Sequence, residues 1–306
     1  MNIVHIIAPI FGIIGLGWVA RRFNVLKARI STSFNNFVYY FALPFLILRG
    51  ILDLKIDQLL NMPLLITNVL AMAVLTVAAI LIGVILQLKK KEIAMFSVAA
   101  YFGTVAYMGI PFNELAFGHE GGSIASLIAV IAITFAVLFG LTILKVVTNK
   151  KEFHPAEAIL GVIKLPIIWA TVVGLVIIFY GISLPVAAHT FIDLLARLAG
   201  PLALFSLGMF VCENKFGGNL KIIILLAIFN LLALPLTIFV TGGIFGLSGL
   251  PLKISIIQGG MPIAITTFVF SRKFHVEEKD ISEAIVITVL IAPFTLSLLL
   301  WLVGKM

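Results

Sequence analysis

Long apolar stretches, each long enough to cross a bilayer as a helix, dominate this chain. A spanning helix needs about 20 consecutive, mostly apolar residues. About ten segments meet this requirement: residues 3–21, 33–52, 63–88, 92–118, 122–147, 165–182, 185–211, 220–245, 251–271 and 282–303. Hydrophobic residues make up 62% of the 306 residues and charged residues 11%, whereas soluble domains have about 45–50% and about 25%. The sequence therefore predicts an all-α polytopic membrane protein with about ten transmembrane helices.

Basic residues alternate between the two sides of this ten-helix map. Sixteen lysines and arginines lie in or near the connections on one side of the membrane, and four lie in or near the connections on the other side. The side with more basic residues is therefore expected to be cytoplasmic. The sixteen are Arg21, Arg22, Lys27, Arg29, Lys89, Lys90, Lys91, Lys145, Lys150, Lys151, Lys164, Lys215, Lys221, Arg272, Lys273 and Lys279. This pattern predicts a multi-pass protein of the plasma membrane with both termini outside.

The remaining composition argues against several other classes of protein. The net charge of +8 is explained by orientation signals, and no basic run interleaved with aromatic residues indicates nucleic-acid binding. A single cysteine, Cys212, cannot form an internal disulfide or a cysteine cluster. The five histidines show neither an HExxH pair nor metal-site spacing. We therefore expect no enzyme activity, no resident metal and no cofactor. The sequence also lacks a GxxxxGK[ST] loop, so we expect that ATP does not drive transport.

The two halves of the chain share traces of an inverted repeat. Proline and glycine in the first and sixth predicted helices, and phenylalanine and proline in the second and seventh, are each separated by 157 residues. The matched residues are Pro9 and Gly17 with Pro166 and Gly174, and Phe34 and Pro44 with Phe191 and Pro201. Secondary transporters are often built this way. We expect a first five-helix repeat at 1–147, a cytoplasmic linker at 148–164 and a second five-helix repeat at 165–306.

The fourth and ninth predicted helices contain glycine and proline at corresponding places in the two halves. Non-helical backbone at membrane depth is tolerated only inside protein or along a watery cavity, and paired interruptions point to a midplane binding site. A half-helix N-terminus there would hold a carboxylate with backbone N–H groups. The candidate binding residues are Gly103, Thr104, Gly109, Pro111, Asn113, Gln258, Gly259, Gly260, Pro262 and Thr266, with Thr267 as a further hydroxyl. A simple packing kink is the alternative interpretation.

Ionisable residues within the apolar zone are a second set of candidates. Asp193 and Arg197 lie four residues apart on one face of the seventh helix and can pair. They are either a structural ion pair or a charged entrance and coupling site. Arg49 ends the second helix and is expected to reach the membrane interface. Glu114 lies at the outer end of the fourth helix, where it is either a solvated loop residue or a further coupling group.

Four segments resemble the auxin efflux carrier family in its short bacterial form. They are NNFVYYFALPFLILRG (35–50), YFGTVAYMGIPFNELAFG (101–118), GPLALFSLGMF (200–210) and QGGMPIAITTFVFS (258–271). The resemblance implies two inverted five-helix repeats, a scaffold of helices 1, 2, 6 and 7, and helices 4 and 9 that cross at Pro111 and Pro262. It also implies a carboxylate site at that crossover including Asn113, elevator-type alternating access, and a homodimer formed through the scaffold.

Three functional hypotheses follow from these observations. The first is a secondary carrier for small organic anions, mono- or dicarboxylates such as malate or malonate. The second is a sodium-coupled symporter of the bile acid–sodium type, which would need oxygen ligands near the breaks. The third is a membrane sensor without transport activity. The expected partners are a small carboxylate substrate and the lipid bilayer, and no nucleic acid.

Overall fold

The computed structural model describes residues 3–149, 155–214 and 216–306, and nearly all of them are helical. Within these residues the only strand-like contact is one antiparallel bridge between Gly103 and Ile263. Lys150, Lys151, His154 and Lys215, which the sequence assigns to cytoplasmic connections, lie outside the described residues. The predicted linker 148–164 contains a helix over Pro155–Ile163.

Seven helical segments of the described residues are long and apolar enough to cross a bilayer, or eight if Ala156–Ile163 and Pro166–Phe179 count together. This is fewer than the ten predicted stretches because 92–118 and 251–271 are split at breaks, and 165–182 contains only the 14-residue helix Pro166–Phe179. In addition, the helical segment Val105–Val147 runs for 43 residues, about 65 Å at 1.5 Å per residue. That length is about twice the 30 Å hydrocarbon core, and Gly118 interrupts it with φ 75° and ψ −168°.

Two compact units make up the chain, and each takes segments from both sequence halves. Unit 1 consists of Met1–Asn61, Ala106–Val130 and Ile163–Asn214, and unit 2 of Met62–Val105, Ile131–Val162 and Lys215–Met306. The compact units therefore differ from the predicted sequence repeats 1–147 and 165–306. All residues of the predicted helices 1, 2, 6 and 7 belong to unit 1.

Unit 1 is built around a long helix, α11, on which α1, α2 and α3 pack, while α10 packs on α3. Its helices are α1 (Ile3–Arg22), α2 (Ala28–Phe37), α3 (Leu43–Leu52), α4 (Ile56–Leu59), the first part of α7 (Ile110–Phe135), α10 (Pro166–Phe179) and α11 (Val186–Glu213). Pro166 occupies the first turn of α10, where the missing N–H would have had no helical partner.

The contact between α1 and α11 depends on two glycines. A Cβ atom added to Gly17 would lie 2.0 Å from the Phe205 carbonyl oxygen, and one added to Gly208 would lie 1.9 Å from the Ile14 carbonyl oxygen. Backbone meets backbone at both places, which is the close approach that small residues permit between membrane helices. These two glycines therefore determine how closely α1 and α11 can pack.

Unit 2 packs α13 against α5 and α14, and α16 against α12, α14 and α15. Its helices are α5 (Met62–Ile85), α6 (Lys90–Ala99), the end of α7, α8 (Leu141–Asn149), α9 (Pro155–Ile163), α12 (Leu220–Ile228), α13 (Leu234–Ile244), α14 (Gly249–Gly259), α15 (Ile265–Phe274) and α16 (Glu278–Lys305). The turn before α12 is held by buried carboxylates, because Glu283 accepts from the N–H groups of Gly217 and Gly218 at 2.9 and 2.7 Å.

In the part of the chain that the structure describes, four π-helical segments interrupt the α-helices, and three of them lie just before a proline. The segments Val38–Ala42, Val105–Gly109 and Phe229–Ala233 come two residues before Pro44, Pro111 and Pro235, and the fourth covers Ala136–Gly140. A proline removes an N–H donor and its ring clashes with the carbonyl four residues earlier. In these three cases that carbonyl belongs to the wider π turn, so the helix continues through the proline.

Candidate functional site

Both predicted interruptions exist, but the first is not at the predicted residue. Helical structure stops at Ala99 and resumes at Val105, and it stops again at Gly259 and resumes at Ile265. The break at Pro262 is therefore confirmed. The prediction that helix 4 breaks at Pro111 is wrong, because the π-helical segment Val105–Gly109 absorbs this proline and Pro111 lies in the first turn of α7.

The two breaks, both in unit 2, pair with each other as a short antiparallel bridge. The Thr104 N–H donates to the Pro262 carbonyl at 2.7 Å, and the Ala264 N–H donates to the Phe102 carbonyl at 3.0 Å. Gly103 and Ile263 face each other between these two bonds. A Cβ at Gly103 would lie only 2.7 Å from the Met261 carbonyl oxygen, so glycine is needed for this close approach.

Two hydroxyl groups add hydrogen bonds to the bridge. The Thr104 hydroxyl lies 3.0 Å from the Pro262 carbonyl oxygen and 3.2 Å from that of Ile263. The Ile263 N–H donates to the Thr288 hydroxyl of α16 at 3.3 Å. Thr104 is 4% exposed and Ile263 fully buried, so unpaired backbone groups here would be costly.

Backbone N–H donors remain available beside the bridge. The buried N–H of Gly103 has no acceptor among the described atoms, and helical segments begin directly after the bridge at Val105 and Ile265. The first N–H groups of a helix have no partner within it and carry a positive partial charge. The bridge thus places donors suited to an anion next to buried extended backbone.

The other predicted residues of the ninth helix also lie in unit 2. Gly259 and Gly260 allow close packing, since a Cβ would lie 2.6 Å from the Ile238 side chain and 2.3 Å from that of Leu299. Gln258 is buried and Thr266 half-buried. The Thr267 hydroxyl donates to the Ala264 carbonyl at 2.6 Å, so it does not cap the N–H groups at the start of α15.

Three of the predicted residues of the fourth helix belong to unit 1 instead. The Asn113 amide donates to the Gly109 carbonyl at 2.8 Å, while its side-chain oxygen is buried without a partner among the described atoms. Pro111 packs against Gly200 of α11, where a Cβ would lie 3.3 Å from the proline ring. The sequence-predicted site is therefore distributed over the two compact units.

A network of ion pairs in unit 1 joins α3, α7 and α11. Arg49 contacts Glu114 at 2.8 Å and Asp193 at 3.2 Å, and Asp193 contacts Arg197 at 2.7 Å. The predicted Asp193–Arg197 pair is confirmed. Arg49 does not simply extend to the membrane interface, because its side chain is only 16% exposed and binds two carboxylates. Glu114 is likewise a paired helical residue and not a solvated loop residue.

Two cavities in unit 1 border this network. One, of about 430 Å³, is lined by Leu46, Arg49, Pro111, Glu114, His119, Ala196, Arg197, Gly200 and Pro201. The second, of about 620 Å³, is lined by Arg49, Asp53, Lys55, Gln58, His119, Glu120, Asp193 and Arg197. Sequence reasoning did not identify Arg49 as the central residue of the network. Its position at a helix end is a weak signal, since nothing in a single sequence assigns its partners 65 and 144 positions away.

Asp53, which follows α3 beside the network, should make stability pH-dependent. Although Asp53 as a whole is exposed, partial burial of its carboxyl raises the pKa above its ordinary value, and the nearby Arg49 only partly opposes this effect. The folded state then favours the protonated acid, so its stabilisation is present below about pH 4 and is lost as pH rises through the raised pKa. In thermal unfolding, Asp53→Asn should gain stability relative to wild type between about pH 4 and about pH 7. An unchanged difference would contradict this prediction.

Within the described residues, no group of three or more His, Cys, Asp or Glu side chains is arranged to hold a metal ion.

Comparison with known proteins places the chain among membrane transport proteins. A family model described as "Membrane transport protein" matches residues 2–301. A protein of Rhizobium meliloti (strain 1021) named "Putative malonate transporter" is 24% identical over 99% of this chain and 96% of its own length.

Two further relatives carry no named substrate. An uncharacterized transporter of Methanocaldococcus jannaschii is 23% identical over 94% of each chain. An uncharacterized transporter of Escherichia coli (strain K12) is 21% identical over 69% of this chain and 68% of its own. The similarity to proteins of this kind thus extends over nearly the full length of the chain.

Proposed function

Because the chain belongs to the membrane transport protein family, the auxin efflux carrier family that its motifs resemble, we propose that it is a secondary carrier for small organic anions. The observation that carries this proposal is the bridge between Gly103 and Ile263 with helical segments starting at Val105 and Ile265. Two broken helices that meet at buried backbone offer N–H donors to a carboxylate without the cost of a buried lysine.

We propose short dicarboxylates, malonate and malate among them, as the substrate class. The support is the full-length similarity to a relative whose name includes malonate. The charges of unit 1 fit this class as well, since two arginines, Arg49 and Arg197, border the same cavity of about 430 Å³. Guanidinium groups bind carboxylates through paired, charge-assisted hydrogen bonds.

We further propose ten spans in two inverted repeats with elevator-type exchange. Both breaks belong to unit 2, whereas the helices expected to form the scaffold belong to unit 1. An elevator requires this division, because the unit that carries the site must be able to act separately from the unit anchored in the bilayer. The same proposal includes a homodimer formed through scaffold helices and termini on the outside, as the basic residues indicate.

Uptake into proteoliposomes tests this function. Purified protein should take up radiolabelled malonate in a saturable way that unlabelled malate inhibits, with or without a sodium gradient. Protein-free liposomes are the control. If no short mono- or dicarboxylate is taken up, and none stabilises the purified protein against thermal unfolding, the organic anion proposal is wrong.

A further inference from the structure

His119 contacts both partners of the ion pair between Arg49 and Glu114 in the unit 1 network. Its Nδ1 atom lies 3.1 Å from the Arg49 Nη2 atom and 3.1 Å from the Glu114 Oε1 atom. The same two atoms of Arg49 and Glu114 lie 2.8 Å apart. One carboxylate oxygen, one guanidinium nitrogen and one imidazole nitrogen therefore form a triangle.

The chemistry of the three groups restricts where a proton can be. A guanidinium only donates hydrogen bonds and a carboxylate only accepts them, so Nδ1 accepts from Arg49 when it carries no proton. If Nδ1 gains a proton, it becomes a donor to Glu114 and a cation beside the Arg49 cation. Protonated His119 and Arg49 thus compete for the same oxygen of Glu114, Oε1.

The cavity provides a new partner for Arg49 when Glu114 turns to His119. Arg49 lines the cavity of about 430 Å³ together with Pro111 and Gly200, and this volume is within the range of small-molecule sites. The Arg49 side chain is 16% exposed whereas that of His119 is 77% exposed. Water can therefore deliver a proton to His119 while Arg49 is oriented within the protein.

We propose that this triangle is a proton-linked carboxylate site. A proton from water binds His119 Nδ1 and replaces Arg49 as the partner of Glu114. Arg49 then binds a carboxylate of the substrate in the unit 1 cavity, an entrance site distinct from the bridge. One proton and one carboxylate group of the substrate enter together, and their charges cancel within the triangle. This inference rests on the proposed function and adds the coupling ion, a proton, to it.

Two other carboxylates near the triangle already have partners, which favours His119 as the group that takes up the proton. Asp193 keeps Arg197 as a partner when Arg49 moves, and Glu120 accepts a hydrogen bond from Gln58 at 2.7 Å. Imidazole is also the side chain that ordinarily exchanges protons near neutral pH. The other charged or titratable neighbours on the surrounding elements are Asp53, Lys55, His189 and Arg197.

Calorimetric titration of the purified full-length protein with malonate tests the proposal. Measurements in buffers of different ionisation enthalpy give the protons taken up per malonate bound. For one linked proton, the wild-type affinity should fall about tenfold per pH unit between about pH 7 and about pH 8.5. His119→Gln, which can accept a hydrogen bond but not a proton, should lose this slope and the proton uptake.

Two further variants make the result specific. Glu114→Gln removes the charge that holds the proton and should also lose the proton uptake. His5→Gln, at an exposed histidine of α1, should keep the wild-type slope. Retention of wild-type proton uptake in His119→Gln overturns the proposal, as does wild-type binding that is independent of pH. If the wild type binds no short carboxylate at any pH, the proposed function itself fails.

Discussion

Replacing Gly103 by alanine should reduce malonate uptake by at least about tenfold, because the added methyl group has no room at the bridge. Its Cβ would lie 2.7 Å from the Met261 carbonyl oxygen and 3.3 Å from the Met261 Cβ. The Thr104 and Ala264 N–H groups fix the two backbones on either side, so the clash must break at least one of these bonds. Overpacking costs about 1–3 kcal/mol, and about 1.4 kcal/mol corresponds to a tenfold change in rate.

The matched control is Gly243→Ala in α13, also in unit 2. Gly243 is exposed, and no described atom lies within 4 Å of an added Cβ. Uptake rates in proteoliposomes should be normalised to the amount of folded protein recovered, because this separates loss of transport from loss of protein. Wild-type uptake by Gly103→Ala would show that the bridge between the breaks does not support transport.

The largest loss of stability is expected for Gly208→Ala at the contact of α11 with α1. The new Cβ would lie 1.9 Å from the Ile14 carbonyl oxygen and 2.9 Å from the Trp18 nitrogen. Both are backbone atoms, so no side-chain rotation relieves the clash and the two helices must separate. Membrane helices associate mainly through such close packing, and we expect a loss of about 3 kcal/mol or more. Unfolding followed by tryptophan fluorescence in detergent measures this loss.

The partner glycine and an exposed glycine of α1 provide the comparisons. Gly17→Ala should destabilise the protein similarly, and the double variant should lose less than the sum, because both changes disrupt one contact. Gly15→Ala is the control, since no described atom lies within 4 Å of its added Cβ. Alanine is the better helix former by about 1 kcal/mol, so this control should be neutral or slightly stabilising. Equal stability of Gly208→Ala and Gly15→Ala would contradict the prediction.

Signals local to one segment allowed several features to be predicted from sequence. The helical, membrane-spanning character follows from the length of the apolar stretches, and the break at Pro262 follows from two glycines and a proline within four residues. The pair of Asp193 and Arg197 follows from helical spacing. In each case the residues that determine the structure are neighbours in the chain.

Features that depend on distant residues could not be predicted in this way. Pro111 looked like a break, yet a π-helical segment accommodates it, and the real break lies at Gly103, where about 160 residues of chain separate the bridge partners. Arg49 likewise gained its role only from Glu114 and Asp193 on two other helices.

The sequence by itself thus determined that the protein lies in a bilayer, that it is helical, and which segments are prone to breaking. It could do so because desolvation of the backbone and the geometry of proline act within a single helix. The tertiary structure alone decided which break residues pair and which charges meet. Those choices depend on contacts of a few ångströms between segments far apart in the chain, where one methyl group or one hydrogen bond determines the arrangement.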